Sequence, residues 1–177
     1  MKMRLIVLFA LASLAVVVLA LFNRSLVQKY QMRSHGMLLE GPPSSASIIC
    51  KKHNSDLGAA VAILQNGGDF NLRSVRAVYF MPGVFNVEMA EPLLSFPALS
   101  RLEIHGSVIS DDSAELIQLC KSLETVTIDG CEISCDAAKV IASTESLGRC
   151  FFSDGTITQE CIETIRSNRP TLVIGAW

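Results

Sequence analysis

Three residues of the types used in nucleophilic hydrolysis recur at one spacing. His105, Asp129 and Ser153 each stand 24 residues apart. In a working triad the base touches the nucleophile, and the acid orients the base from its far side. A fixed spacing on neighbouring parallel strands puts Asp129 in the middle instead. Strands lie about 4.8 Å apart, which leaves about 10 Å between His105 and Ser153. That order gives a local His105–Asp129 contact on a strand face and no catalytic residues. The six cysteines are also bland. Cys131-x3-Cys135 has no second ligand pair, so no metal site is expected. Cys120, Cys131 and Cys150 fall at apolar positions of a repeating pattern, where a thiol packs as a small apolar group, so no structural disulfide is expected. Gly67-Gly68 closes a helical stretch rather than opening one, which leaves a nucleotide site unsupported. The chain reads as non-enzymatic, with no cofactor.

The elements that carry these residues come in two parts. Half of the 177 residues are apolar, 18% are charged, and the mean hydropathy is +0.40. Such a chain is too apolar for disorder, and its length suits one domain of roughly 100–150 residues beside one membrane segment. Residues 5–22 are apolar throughout except for Ser13. As a helix they span about 27 Å, near the roughly 30 Å of a hydrocarbon core. We read residues 1–22 as an uncleaved signal anchor, a single transmembrane helix. The alternative is a secretory signal with a weak cleavage site at Val18-Leu19-Ala20. Lys2 and Arg4 precede the run and Arg24, Lys29 and Arg33 follow it, a nearly balanced set. The favoured orientation keeps the amino terminus in the cytoplasm and the body outside.

Those five bases precede the first acid, Glu40. The rest of the chain carries 10 bases against 17 acids. An acidic body argues against nucleic acid as a partner. Residues 23–45 form a juxtamembrane stem, and Gly41-Pro42-Pro43-Ser44-Ser45 marks its boundary with the body. Residues 46–74 read as an amino-terminal cap or degenerate repeat. There Ile48 to Cys50 suit a strand. Leu57, Ala60, Val61 and Leu64 make a helical stripe, with Asn54 or Ser55 as its N-cap.

Residues 75–177 repeat with a period of 24, in units 75–98, 99–122, 123–146 and 147–177. Val75, Val78, Phe80 and Phe85 recur as Leu99, Leu102, Ile104 and Ile109. They recur again as Leu123, Val126, Ile128 and Ile133, and as Leu147, Cys150, Phe152 and Ile157. The pattern is LxxLxLxxNxL, whose fourth and sixth residues share one face of a strand. Between strands, Ala90, Ala114, Ala138 and Ile162 recur with Leu93, Ile117, Ile141 and Ile165 three residues later, as an inward helical stripe requires. Ser110, Ser134 and Thr158 stand where N-caps are needed. Each unit is a strand, a turn and a short helix, and units must stack to bury their apolar faces. Residues 171–177 read as a last strand.

This pattern resembles the leucine-rich-repeat family, in its ribonuclease-inhibitor-like and cysteine-containing forms. Cys131 occupies the motif's Asn/Cys position, while Gly83, Ser107 and Gly155 depart from it. The resemblance implies an α/β fold, a short leucine-rich-repeat solenoid with parallel strands on a concave face and short helices on a convex one. It also implies binding of a protein partner by the concave face. The side chains that the register places there include Tyr79, Met81, Arg101, Glu103, His105, Thr127, Asp129, Arg149 and Phe151. Aromatic and arginine residues are favoured as binding anchors. The expectation is a membrane-anchored, non-enzymatic interaction module held by residues 5–22. The alternative is an assembly subunit that homo-oligomerises through the anchor or the terminal strand.

Overall fold

The 24-residue period is a strand-pairing register. In the computed structural model, which describes residues 24–52, 55–153 and 156–176, Ala77 pairs with Arg101, Arg101 with Thr125, Thr125 with Arg149 and Arg149 with Val173. Nine strands form among the described residues: β1 (Met37–Glu40), β2 (Ala46–Cys50), β3 (Val75–Phe80), β4 (Arg101–His105), β5 (Val108–Ile109), β6 (Thr125–Asp129), β7 (Glu132–Ile133), β8 (Arg149–Phe152) and β9 (Val173–Ala176). Seven of them make one sheet in the order β1-β2-β3-β4-β6-β8-β9, and β5 pairs with β7 in a second. Neighbours are parallel except β1 and β2.

Helices return the chain between parallel strands. α1 (residues 24–34) precedes β1, and the returning helices are α2 (Leu57–Gln65), α3 (Val87–Leu93), α4 (Asp111–Gln118), α5 (Cys135–Ala142) and α6 (Gln159–Asn168). The start of each of α2 to α6 is set by a side-chain oxygen accepting from a free amide. Ser110, Ser134 and Thr158 do this for α4, α5 and α6, and Asn86 for α3. Asp56 caps α2 in place of Asn54 or Ser55, and Asn54 lies outside the described residues. Alternate strand residues meet the helical stripes. Ile48, Val78, Phe80, Leu102, Ile104, Val126, Ile128 and Phe152 are fully buried against Ala90, Ala114, Ile117, Ala138 and Ile141.

Four expectations need correction. First, the short solenoid does not form. The seven strands make one open, mostly parallel sheet, and no sheet among the described residues closes into a solenoid. A coil needs every unit to turn the same corner, and these units differ there. Only the second and third place a strand after the main one; Pro82-Gly83 turns the chain in the first, and residues 156–157 only bend in the fourth. The fold is an α/β layer whose helices cover one face of the sheet.

Second, the single-pass membrane assignment is not met by the structure: no helix among the described residues is long and apolar enough to cross a membrane. The run at 5–22 that prompted it lies outside the described residues. Third, the stem belongs to the body. Met32, Met37 and Leu39 are buried, and β1 pairs with β2. The Gly41–Ser45 segment is the turn of that hairpin. Gly41 takes φ +89°, a conformation other residues adopt at a cost, and Ser45 N donates to Pro42 O at 3.0 Å. Fourth, a disulfide forms between Cys135 and Cys161. The register conceals it, because Cys135 opens α5 whereas Cys161 lies in the first turn of α6, 26 residues on.

Candidate functional site

Side chains alternate on a strand, so the residues between the core positions cover the face away from the helices. One row runs Leu38, Ile49, Tyr79, Glu103, Thr127, Phe151, Gly175 across seven strands. Beside it run Ser47, Ala77, Arg101, Thr125, Arg149 and Val173. His105 pairs with Asp129 one step further along.

The middle of this face is a polar network that satisfies itself. The Arg101 guanidinium donates from Nε to Glu103 Oε1 at 2.7 Å. His105 reaches the other Glu103 oxygen at 3.6 Å through Nε2 and Asp129 Oδ2 at 3.0 Å through Nδ1. The hydrogen bond from His105, aided by one from Ser153, holds the Asp129 carboxyl below its ordinary range. Ser153 Oγ accepts from Gly130 N at 2.6 Å and lies 2.9 Å from Thr156 Oγ1. Asp129 therefore separates the imidazole from the hydroxyl, and the three groups form a relay without a base on a nucleophile.

Two expected binding residues are placed differently. Thr127, like Thr125, is buried at 8% exposure. A short β-branched side chain on a central strand is walled in by Glu103 and Phe151 on its flanks, so it serves as floor rather than contact. Phe151 is half-buried and its ring lies over Gly175, where an added Cβ would collide with Cδ1 and Cε1. It leans towards β9 and away from Tyr79, so the two aromatics share a row without forming one patch. Arg101 and Arg149 remain exposed.

The β1–β3 end differs. Tyr79 is half-buried and Met81 is 41% exposed. Leu38 and Ile49, both half-buried, complete an apolar cluster with them. These two were missed because Gly41–Ser45 reads as a boundary. The alternation of Met37 to Leu39 and Ile48 to Cys50 was the available signal.

Four free thiols are buried. Burial pushes Cys50 and Cys150 up to about 12 and Cys120 up to about 11, and raises Cys131 as well. Thiols held protonated at neutral pH are poor nucleophiles. Among the described residues, no group of three His, Cys, Asp or Glu side chains could hold a metal ion. No protein-family model, curated protein or solved structure matches the chain, so these comparisons lend no support to the leucine-rich-repeat resemblance.

Proposed function

We propose that this chain is a non-enzymatic interaction module that binds a protein partner through the open face of its sheet. The observation that carries this reading is the apolar cluster of Leu38, Ile49, Tyr79 and Met81, uncovered beside a polar network that already satisfies itself. Single exposed apolar residues are common on soluble proteins, but Leu38, Ile49 and Tyr79 in one row of three neighbouring strands, with Met81 just past β3, form an anchor of the kind that dominates interfaces. Arg101 and Glu103 rim it and would set orientation more than affinity. The acidic balance of the chain beyond residue 39 weighs against nucleic acid as the partner.

The test is photo-crosslinking from position 79 of the full chain, followed by affinity measurement with whatever protein is recovered. Tyr79→Ala with Met81→Ala should weaken that complex by about thirtyfold, the equivalent of about 2 kcal/mol. Glu115→Ala with Lys139→Ala, on the helix side, should leave it unchanged. A complex lost with the helix-side pair and kept with the sheet-face pair overturns the reading.

A further inference from the structure

The sheet has two edges, β1 and β9, and they are treated differently. On β9 the Arg166 guanidinium donates to Ile174 O at 3.3 Å, which blunts that edge. The outer side of β1 has no such cover among the described residues. Lys51 N donates to Gly36 O at 3.1 Å, which fixes the phase of the antiparallel ladder. Hydrogen-bonded pairs alternate, so Leu38 and Glu40 bond to β2, while Met37 and Leu39 aim their amides and carbonyls away from the sheet. Their side chains are buried, so this strand cannot turn to hide its edge.

The geometry points to a second copy of this chain as the occupant, with the β1 strands pairing antiparallel about a two-fold axis at Leu38. Such an axis sets Met37 of one copy against Leu39 of the other, and both pairs exchange main-chain hydrogen bonds. Leu38 then faces Leu38 of the second copy as a closely spaced pair. Three details at this end of the sheet fit this arrangement. Glu40 falls opposite Gly36 of the second copy, which has no side chain, and Lys51, the residue after β2, stands beside Gly36 in the same row. Glu40 and Lys51 are exposed and opposite in charge, and the two-fold brings each within reach of the other twice. The Leu38, Ile49, Tyr79 row continues across the axis into its symmetry mate, so apolar surface lines the joint on the open face. Finally, α1, which leads into β1 through the His35-Gly36 turn, exposes Leu26, Val27 and Tyr30 by 51%, 53% and 75% at this same end of the molecule.

A dimer of this kind joins two open faces into one. It does not depend on the partner-binding reading above, because it is read without any third protein.

The experiment uses the purified full chain with Leu38→Cys and, separately, Val173→Cys on the opposite edge. The native thiols outside the disulfide are buried, so background crosslinking stays low. Across the two-fold, the Cβ atoms at position 38 lie about 4.5–5.5 Å apart, close enough for a disulfide after small adjustment. Mild oxidation should convert most of the Leu38→Cys chain to covalent dimer and little of the Val173→Cys chain. Sedimentation of Leu38→Lys, which sets two like charges on the axis, should show dimerisation weakened at least tenfold. Glu40→Lys and Lys51→Glu should each weaken it a few-fold, and the double variant should recover it. The proposal is overturned by crosslinking at position 173 in place of 38, by no crosslinking at 38, or by self-association that Leu38→Lys leaves intact.

Discussion

At the β1 end of the sheet a helix is held by one buried amide, and at the β9 end by a disulfide and a guanidinium. Gln28, 4% exposed, donates from Nε2 to Phe70 O at 3.0 Å and accepts from Phe70 N at 3.1 Å, so its side chain replaces one rung of main chain. Lys29 lies over the Phe70 ring, 5.5 Å from its centre. At the other end Cys135–Cys161 ties α6 to α5. Arg169 donates to Ala142 O at the end of α5 and to Thr144 O and Leu147 O in the loop after it, each at 3.1 Å. The open face follows the same division. Phe151 is folded over Gly175 at the locked end, whereas Leu38, Ile49, Tyr79 and Met81 stay available at the clamped end. The lesson is that the end closed by a disulfide and by guanidinium hydrogen bonds also hides its aromatic, and the end closed by a buried amide leaves its apolar surface and its strand edge uncovered.

The lock should matter most to stability. Closing a loop of this size removes denatured-state entropy worth about 3 kcal/mol. Cys161→Ser should therefore lower the unfolding free energy in denaturant by about that amount. Reductant should reproduce the loss in the parent chain and do nothing further to the variant. An unchanged melt in reductant would mean that α6 is held by Arg169 and packing alone, and the contrast between the ends would shrink to the open face.

The clamp comes next. Gln28→Ala strands a buried amide and a buried carbonyl at Phe70, and unmet buried groups cost about 1–3 kcal/mol. We expect a loss of about 2 kcal/mol, with faster hydrogen exchange at Phe70 and through α1 and no change in α6. Exchange that speeds equally at both ends would show the sheet opening as one unit, which breaks the comparison.

A smaller change should convert one end towards the other. Gly175→Ala places a Cβ where the Phe151 ring lies. Overpacking of this kind costs about 1 kcal/mol, and here an aromatic can swing away to relieve it. The variant should expose Phe151 to a solvent-borne dye that reports apolar surface, while Tyr79 is unaffected. If dye binding stays at the parent level, the ring has another resting place and Gly175 is not what fixes it.

How much of this was legible in the residues depends on whether a feature repeats. The pairing register, the buried rows through Ile104 and Ile128, and the caps Ser110, Ser134 and Thr158 recur every 24 residues, and a period carries its own confirmation. The features that occur once were misread. Gly41–Ser45 has the composition of a linker, and only the tertiary pairing of β1 with β2 makes it a hairpin turn. The disulfide joins positions out of step with the period. Thr127 alternates like an exposed residue, yet its neighbours on both sides are longer than it is. The period also said nothing of the corners, so it suggested a regular coil where units one and four lack the second strand. On the candidate face, the His105–Asp129 contact followed from register alone. The division of that face into a polar middle and an apolar end did not, because Leu38 and Ile49 lie outside the repeats.

The polar middle should contribute least, and its contribution has a sign that can be checked. Asp129 is held below its ordinary value, 3.8, first by the hydrogen bond from His105 and then by that from Ser153. A carboxylate depressed in the folded state adds stability above its unfolded pKa, and that stability fades as pH falls through the folded value. The Asp129 side chain is 44% exposed, so solvent screens the interaction and the effect is small. Asp129→Asn should melt slightly below the parent at neutral pH. The gap between the two should hold down to about pH 4 and then close with further acid. Glu103 lies 3.6 Å from the other ring nitrogen of the same imidazole, so Glu103→Gln gives the matched control for charge on the network. A gap between parent and Asp129→Asn that persists unchanged at pH 2 would show that the carboxylate's charge is not what it contributes. The middle of the face would then be held by packing and not by the relay through His105.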